Sequence, residues 1–447
     1  MRHDGEVRLL DSLPRPASTR LAVRVTPDAV RRLRGGHPWV FDGSILSVSR
    51  DGAPGDLAVV FDDDRRFVAI GLWDPASPIR LKVLHQGRPV SIDADWFRER
   101  LAAALARRRP LVDSATSATP TTGYRVVHGE NDGLPGLVLD RYGHVSVLKL
   151  YSAAWIPHLA ELVPLLVEVV PSRSIVLRLA RHLRAEGAAP LPEGLEEGIS
   201  LFGPPVVEPE PFRELGLHLE ADVVRGQKTG YFLDQRDNRA RVGELASGAD
   251  VLDVFCCSGG FSVHAAAGGA RRVHSIDASP FAIEAARRAM TLNSDLPEVA
   301  ACRHETTIGE AFATMERLVA ARARFDIVVI DPPSFASTAV AVPRALTSYR
   351  RLTTLGLGLV APGGLLVQAS CSSRVTEADF ARAVHSAAGE AGFDLDEVAR
   401  TGHPIDHPIG FPEGAYLKAI FARPTRRPSV PGERGNRPGR PTRGTPR

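Results

Sequence analysis

Apolar positions along the chain fall into three regimes. Between residues 21 and 90 they form short runs, AVVFDDD, RFVAIGLW and IRLKVLH, broken by Asp, Gly and Pro. Runs this short and this close predict strands of a small barrel. Residues 91–220 mix periods. ADWFRERLAAALARRR places Trp96, Phe97, Leu101 and Leu105 near one face, which predicts a helix over 94–109. SATSATPTT predicts a loop, GHVSVLKLYS and RSIVLRLA predict strands, and AAWIPHLAELVPLLVEVV predicts a helical stretch interrupted at Pro164. A Pro-rich stretch, GPPVVEPEPF, lies near the end of this unit. From 221 to 422 strand-like runs (VLDVF, RVHSID, FDIVVID, GLLVQAS) alternate with or precede helical ones (FSVHAAAGG, PFAIEAARRAMTLN, EADFARAVHSAAGEAG). That alternation predicts an α/β domain built on a parallel, doubly wound sheet. Residues 1–20 are expected to be a poorly ordered lead. Residues 423–447, rich in Pro, Gly and Arg, are expected to be a disordered tail.

Composition narrows the picture. Hydrophobic residues make up 44% and charged residues 24%, an ordinary globular balance. No run of about 18 apolar residues and no apolar signal core occur, so a cytoplasmic protein is expected. The net charge of +3 hides an asymmetry: residues 423–447 hold eight Arg against one Glu, which leaves the rest of the chain slightly acidic. RNA affinity would have to come from local patches, the tail or base recognition. There are four lysines, Lys82, Lys149, Lys228 and Lys418, against 51 arginines. The cysteines Cys256, Cys257, Cys302 and Cys371 lack zinc spacing, and no metal is expected.

Candidate chemistry gathers at the ends of the C-terminal strands. In VLDVFCCSGGFSVHAA an apolar strand ends in Ser258-Gly259-Gly260 before a helix, and small residues there let a ligand approach the backbone. Asp277 ends the next strand, where a carboxylate can accept from ribose hydroxyls. A dinucleotide site is the competing reading, although the spacing departs from G-x-G-x-x-G. In FDIVVIDPPSF, Asp331 is followed by two prolines that fix the chain's exit and leave carbonyls able to grip a flat base. Cys371 follows another strand. A thiolate there could act as a nucleophile, although a strand-end cysteine taken alone is more often structural. GQKTGYFLDQRDNR packs Lys228, Tyr231, Phe232, Asp234, Gln235, Arg236, Asp237, Asn238 and Arg239 into twelve residues. It reads either as a solvated helix start or as a segment lying across a pocket near Ser258.

Taken together, these strings resemble the large-subunit ribosomal RNA cytosine-5 methyltransferases that carry an N-terminal PUA domain. LRGGHPWVFDGSI and FVAIGLWDPASPIRLKVL are similar to that PUA domain, and YRVVHGENDGLPGLVLDRYG to the family's central domain. GQKTGYFLDQRDNR, DVFCCSGGFSV, IDPPSF, SCS and DHPIGFPEGAYLK are similar to its catalytic domain. The resemblance runs from about residue 21 to 422. It implies a class I, Rossmann-like methyltransferase domain using S-adenosylmethionine, preceded by a PUA barrel over 21–90 and a mixed α+β unit over 91–220. It implies that Asp253, Ser258, Gly259 and Gly260 line the cofactor pocket, that Asp277 binds the ribose, and that Gln235 and Arg236 help close the pocket. Asp331 would contact cofactor or base, and Cys371 would be the nucleophile. Two positions depart from the family pattern. Cys257 stands where an aromatic is usual, and the acid near the adenine is displaced, with His304-Glu305 or Glu310 as candidates. The implied partner is RNA, either naked or in an assembled subunit, bound by a monomer or a homodimer. Two rivals of other classes remain open: methylation of a nucleobase amino group, and a non-catalytic RNA-binding factor on a methyltransferase scaffold. A nicotinamide-dependent enzyme is more distant.

Overall fold

The computed structural model describes residues 9–112, 119–187 and 189–428. Most of the expected loop over 114–122, and all of the expected tail after 428, lie outside these residues. Within them the chain builds three sheets and a separate hairpin.

The first sheet holds β1 (Leu21–Val25), β2 (Trp39–Phe41), β3 (Ile45–Val48), β4 (Leu57–Phe61), β5 (Phe67–Trp73) and β6 (Ile79–Gln86), in the order β2-β6-β5-β4-β1-β3. Its two edge strands, β2 and β3, are joined by only three residues, 42–44. Six strands laid flat would separate those edges by roughly 24 Å. A three-residue link spans at most about 14 Å. The sheet therefore curls towards closure, giving the small barrel that the short runs predict. Its interior is filled by Leu21, Val23, Val60, Leu81 and their neighbours.

The second sheet holds β7 (Gly123–His128), β8 (Leu137–Tyr142), β9 (Val145–Leu150), β10 (Ser174–Leu179) and β11 (Ser200–Phe202), in the order β11-β10-β9-β8-β7. The helices 94–112 and 159–169 pack into one core with it. The expected break at Pro164 does not occur: residues 153–158 form a 3-10 turn, and the α-helix from Leu159 to Val169 runs through the proline. Part of the expected loose lead is also anchored, since Leu13 is buried in this core. A hairpin of β12 (Glu210–Glu214) and β13 (Leu217–Ala221) follows. Its two turn residues, Leu215 and Gly216, both take positive φ, as a tight primed turn requires.

The third sheet holds β14 (Asp250–Val254), β15 (Arg272–Asp277), β16 (Arg303–Ile308), β17 (Phe325–Ile330), β18 (Val360–Ser370), β19 (Phe393–Thr401) and β20 (Lys418–Arg426), in the order β16-β15-β14-β17-β18-β20-β19. The sheet is parallel except for β20, which inserts antiparallel between β18 and β19. The expectation of a wholly parallel sheet is corrected at that one strand. The chain remains strand to Arg426, and Arg427 pairs with Asp394. Strand order reverses at β14, between β15 and β17, and ligands bind beyond the carboxyl ends of strands at such a switch point.

Candidate active site

A cavity of about 1130 Å³ opens beyond the carboxyl ends of β14, β15, β17 and β18. The turn after β14 forms its floor. Phe255, Cys257 and Gly259 alternate in the left-handed region, with φ of 64°, 49° and 75°. Two non-glycine residues held there carry strain, which persists only where the surroundings impose it. Asp277 imposes part of it, because its Oδ2 accepts the Cys257 N–H at 3.0 Å and its Oδ1 accepts the Ser279 N–H at 2.9 Å. Ser258, Gly260 and Asp277 face the cavity.

Gly259 and Gly260 have different roles. A Cβ on Gly259 would meet Ala286 at 2.7 Å, so this glycine serves helix packing and does not line the cavity. A Cβ on Gly260 would lie 2.4 Å from the Tyr231 hydroxyl and 2.6 Å from Arg239 Cδ. The segment 226–239 thus lies directly across the turn. Lys228, Tyr231, Phe232, Asp234 and Gln235 all face the cavity, as the pocket-covering reading of GQKTGYFLDQRDNR anticipates.

The neighbouring sheet holds that segment in place. Thr229 donates to Asp140 at 2.6 Å and bonds the Tyr142 hydroxyl at 2.9 Å, while Lys149 donates to the Lys228 carbonyl at 3.0 Å. Lys228 in turn pairs with Asp234 at 2.6 Å, and the Tyr416 hydroxyl donates to the same carboxylate oxygen at 2.8 Å. Sequence reasoning gave Lys228 and Asp234 no individual role, and Tyr416 was seen only as part of the late string.

Asp331 and Cys371 open onto the cavity from adjacent strands. Gln235 donates to Asp331 Oδ1 at 2.8 Å. Burial, helped by the negative charge of Asp234, pushes the Asp331 carboxyl up to about 7. Burial likewise pushes the Cys371 thiol up to about 11, with Asp331 adding to the shift and Lys228 opposing it. The Cys371 thiol lies 3.8 Å from the Pro332 carbonyl.

Two expected lining residues turn away. Arg236 is buried against Asp406 in a two-pronged ion pair at 2.9 and 3.0 Å, and does not close the pocket. Asp253 lies beneath the helix 260–267, accepting from Ser262 at 2.6 Å, and burial raises its carboxyl to about 6. Of the candidates for the displaced acid, Glu310 faces the cavity. His304 is bonded to Ser275, and Glu305 pairs with Arg303.

The residues present suit a polar, nucleoside-bearing ligand. Two side-chain atoms of cavity-lining residues, the Tyr231 hydroxyl and Asp234 Oδ1, are buried without a hydrogen-bond partner among the described residues. The strand-end acid Asp277 and the β14 turn, through Ser258 and Gly260, line the same cavity.

Comparison with known proteins agrees with this geometry. A family model described as S-adenosylmethionine-dependent methyltransferase matches residues 199–423, and one described as a PUA-like domain matches residues 23–86. A ribosomal RNA large subunit methyltransferase of Deinococcus radiodurans is 45% identical over 410 residues, covering 92% of this chain and 99% of its own. The ribosomal RNA large subunit methyltransferase I of Shewanella amazonensis is 34% identical, covering 90% and 99%. Among solved structures, SMU.776 in complex with SAH aligns with a TM-score of 0.75 at 20% identity, over 90% of this chain and 99% of that one, a likeness of fold. With its curled N-terminal sheet and its ligand cavity at the switch point of the third sheet, the chain belongs to the family of S-adenosylmethionine-dependent methyltransferases that carry a PUA-like domain.

Proposed function

We propose that this enzyme forms 5-methylcytidine in large-subunit ribosomal RNA through a covalent adduct on Cys371. The observation that carries the reading is that Cys371 and Asp331 open onto one cavity from neighbouring strand ends. Relatives that share nearly their whole length with this chain carry the name of ribosomal RNA large subunit methyltransferase, which supports the substrate class and, with it, a cytoplasmic location.

Cytosine carbon 5 is a weak nucleophile. Cys371 Sγ, as thiolate, bonds to carbon 6, and the electron pair of the 5,6 double bond moves towards carbon 5 and the ring edge. A carboxyl that titrates near 7 suits Asp331 to donate a proton to that edge and hold the adduct. Bound S-adenosylmethionine supplies an electrophilic methyl group on a sulfonium sulfur. Carbon 5 then has the electron density to accept it. Loss of the carbon 5 proton to water, return of the ring-edge proton to Asp331 and breakage of the carbon–sulfur bond release the thiolate. In the free enzyme the thiol is protonated at neutral pH, so formation of the thiolate belongs to the bound state.

Asp277 would accept from the cofactor's ribose hydroxyls, Ser258 and Gly260 would let it approach the β14 turn, and Gln235 would hold Asp331 in register. The target base must reach the cavity unpaired or flipped out. The barrel over 21–90 would hold nearby RNA by shape and backbone contacts.

The test uses large-subunit ribosomal RNA containing 5-fluorocytidine. Fluorine blocks loss of the carbon 5 proton, so the enzyme should remain attached on a denaturing gel, and the band should vanish in Cys371→Ala. Methyl transfer to ordinary RNA by Cys371→Ala at the wild-type rate would move the assignment to an exocyclic amino group.

A further inference from the structure

The loop after β18 rests on one buried ammonium. Lys418 opens β20, and its Nζ donates to the carbonyls of Ser372 at 2.5 Å, Val375 at 2.6 Å and Tyr416 at 3.0 Å. Three acceptors use all three ammonium hydrogens. Among the described residues no carboxylate forms an ion pair with it. Burial pushes its pKa down to about 8, opposed by Cys371 and Glu377. An unpaired buried charge is costly unless hydrogen bonds compensate it, and here backbone carbonyls do so. Two of those carbonyls belong to the turn that begins at Cys371. The side chain of Ser372 is held from the other side by the Tyr349 hydroxyl at 2.9 Å and by the Phe335 N–H at 3.2 Å. The peptide that follows the thiol is therefore fixed at both its carbonyl and its side chain.

Against 51 arginines the chain has four lysines, and none of the four is exposed. Lys149 and Lys418 both donate to backbone carbonyls near the site. A planar guanidinium fork cannot aim its hydrogens at three carbonyls converging on one point, and a compact ammonium can.

We propose that Lys418 is a positioning residue for Cys371: by gathering the Ser372, Val375 and Tyr416 carbonyls it holds the thiol towards the cavity. The inference rests on Cys371 being the nucleophile.

Lys418→Met and Lys418→Arg test it, with four readouts. These are kcat and KM on ribosomal RNA, S-adenosylmethionine Kd by calorimetry, the rate of 5-fluorocytidine adduct formation, and the pH profile of Cys371 alkylation by iodoacetamide, read by peptide mass spectrometry. A misplacement near 1 Å costs on the order of a hundredfold. Adduct formation and kcat should fall roughly 10- to 100-fold in both variants, with KM and Kd within about threefold of wild type. The alkylation midpoint should stay near wild type in Lys418→Met, because an ammonium that titrates near 8 is already neutral where the thiol titrates near 11. Full kcat in either variant, a loss confined to KM or Kd, or a Lys418→Met midpoint moved by a full pH unit overturns the proposal. Should Lys418→Met fail to fold, the arginine variant decides by its kcat. Absence of any adduct in the wild-type enzyme, with full activity in Cys371→Ala, overturns the nucleophile reading and this proposal with it. A wild-type adduct that forms equally fast in the Lys418 variants overturns the Lys418 proposal alone.

Discussion

The side-chain amide of Gln235 donates to Asp331 Oδ1 at 2.8 Å, tying the start of the helix 236–245 to the loop after β17. That donor favours the ionised carboxylate and so opposes the burial that raises Asp331 to about 7. Between them, Asp331 and Cys371 carry one proton over the range from about 7 to about 11. Below about 7 a second proton is added, and the carboxyl, already protonated, cannot take the thiol's proton, so no thiolate forms. The kcat/KM for RNA should fall tenfold per pH unit below about 7. In Gln235→Ala that acid limb should move to higher pH, and activity at pH 7.5 should fall about tenfold, since a buried carboxylate loses its donor. A profile flat from pH 7.5 to 5.5 would exclude Asp331 from the mechanism.

Asp253 provides a stability test. Its folded carboxyl sits near 6, above the ordinary value of 3.8, chiefly because it is buried. A raised acid contributes stability that is complete below the unfolded pKa and is lost as pH rises through the folded one. Above pH 6 the folded protein therefore holds a costly buried charge, with Oδ1 unpartnered. Asp253→Asn keeps an acceptor for Ser262 and removes the charge. Urea denaturation should find it more stable than wild type by about 1 kcal/mol at pH 7.5, and no more stable at pH 4.5. Equal effects at both pH values would show that the charge is not the cause.

Legibility followed burial. β14, β17 and β18 are central strands whose apolar runs stood out in the sequence, and β15, RVHSID, showed Val273 and Ile276 ahead of its terminal acid. β16, RHETTI, is an edge strand with no fully buried residue, and β19 alternates half-buried and exposed positions, so neither announced itself. In the site, the polar density of 228–239 was readable, but the direction of each side chain was not. One step along a helix turns a side chain by about 100°. Gln235 therefore meets Asp331 while Arg236 meets Asp406, a partner 170 residues away that no local pattern reveals. Lys418 acts on backbone carbonyls, which have no signature in sequence at all.

Asp406 joins the second and third sheets. It receives both prongs of Arg236 and the Arg125 N–H at 3.0 Å, while its own carbonyl accepts from Arg108 at 2.9 Å. Arg236 and Asp406 are both buried, and the adjacent His407 and the paired Arg236 hold the Asp406 carboxyl far below its ordinary range against the effect of burial. Removing one partner of such a pair strands the other charge, at a cost of about 3–5 kcal/mol. Asp406→Ala should lose that much in chemical denaturation at pH 7.5. The deficit should shrink as pH falls towards 3, because a depressed acid gives up its contribution as pH falls. A loss under 1 kcal/mol at pH 7.5 would mean that the two sheets are held together by other contacts.

Gly260 tests the cavity floor. A Cβ there would meet the Tyr231 hydroxyl and Arg239 Cδ. Arg239 cannot easily withdraw, because both its prongs are locked on buried Glu214 at 2.6 Å. Tyr231 is the freer of the two: its hydroxyl has no hydrogen-bond partner and its ring borders the cavity. Gly260→Ala should therefore displace Tyr231 within the cavity, where the cofactor is expected to sit against the β14 turn. S-adenosylmethionine affinity should drop about 5- to 150-fold, for an overpacking strain of 1–3 kcal/mol. Calorimetry with S-adenosylmethionine measures this directly. A second variant, Gly260→Ala with Tyr231→Phe, removes the clashing oxygen and should recover most of the affinity. If the double variant binds as weakly as Gly260→Ala, the clash with Tyr231 is not what Gly260 avoids.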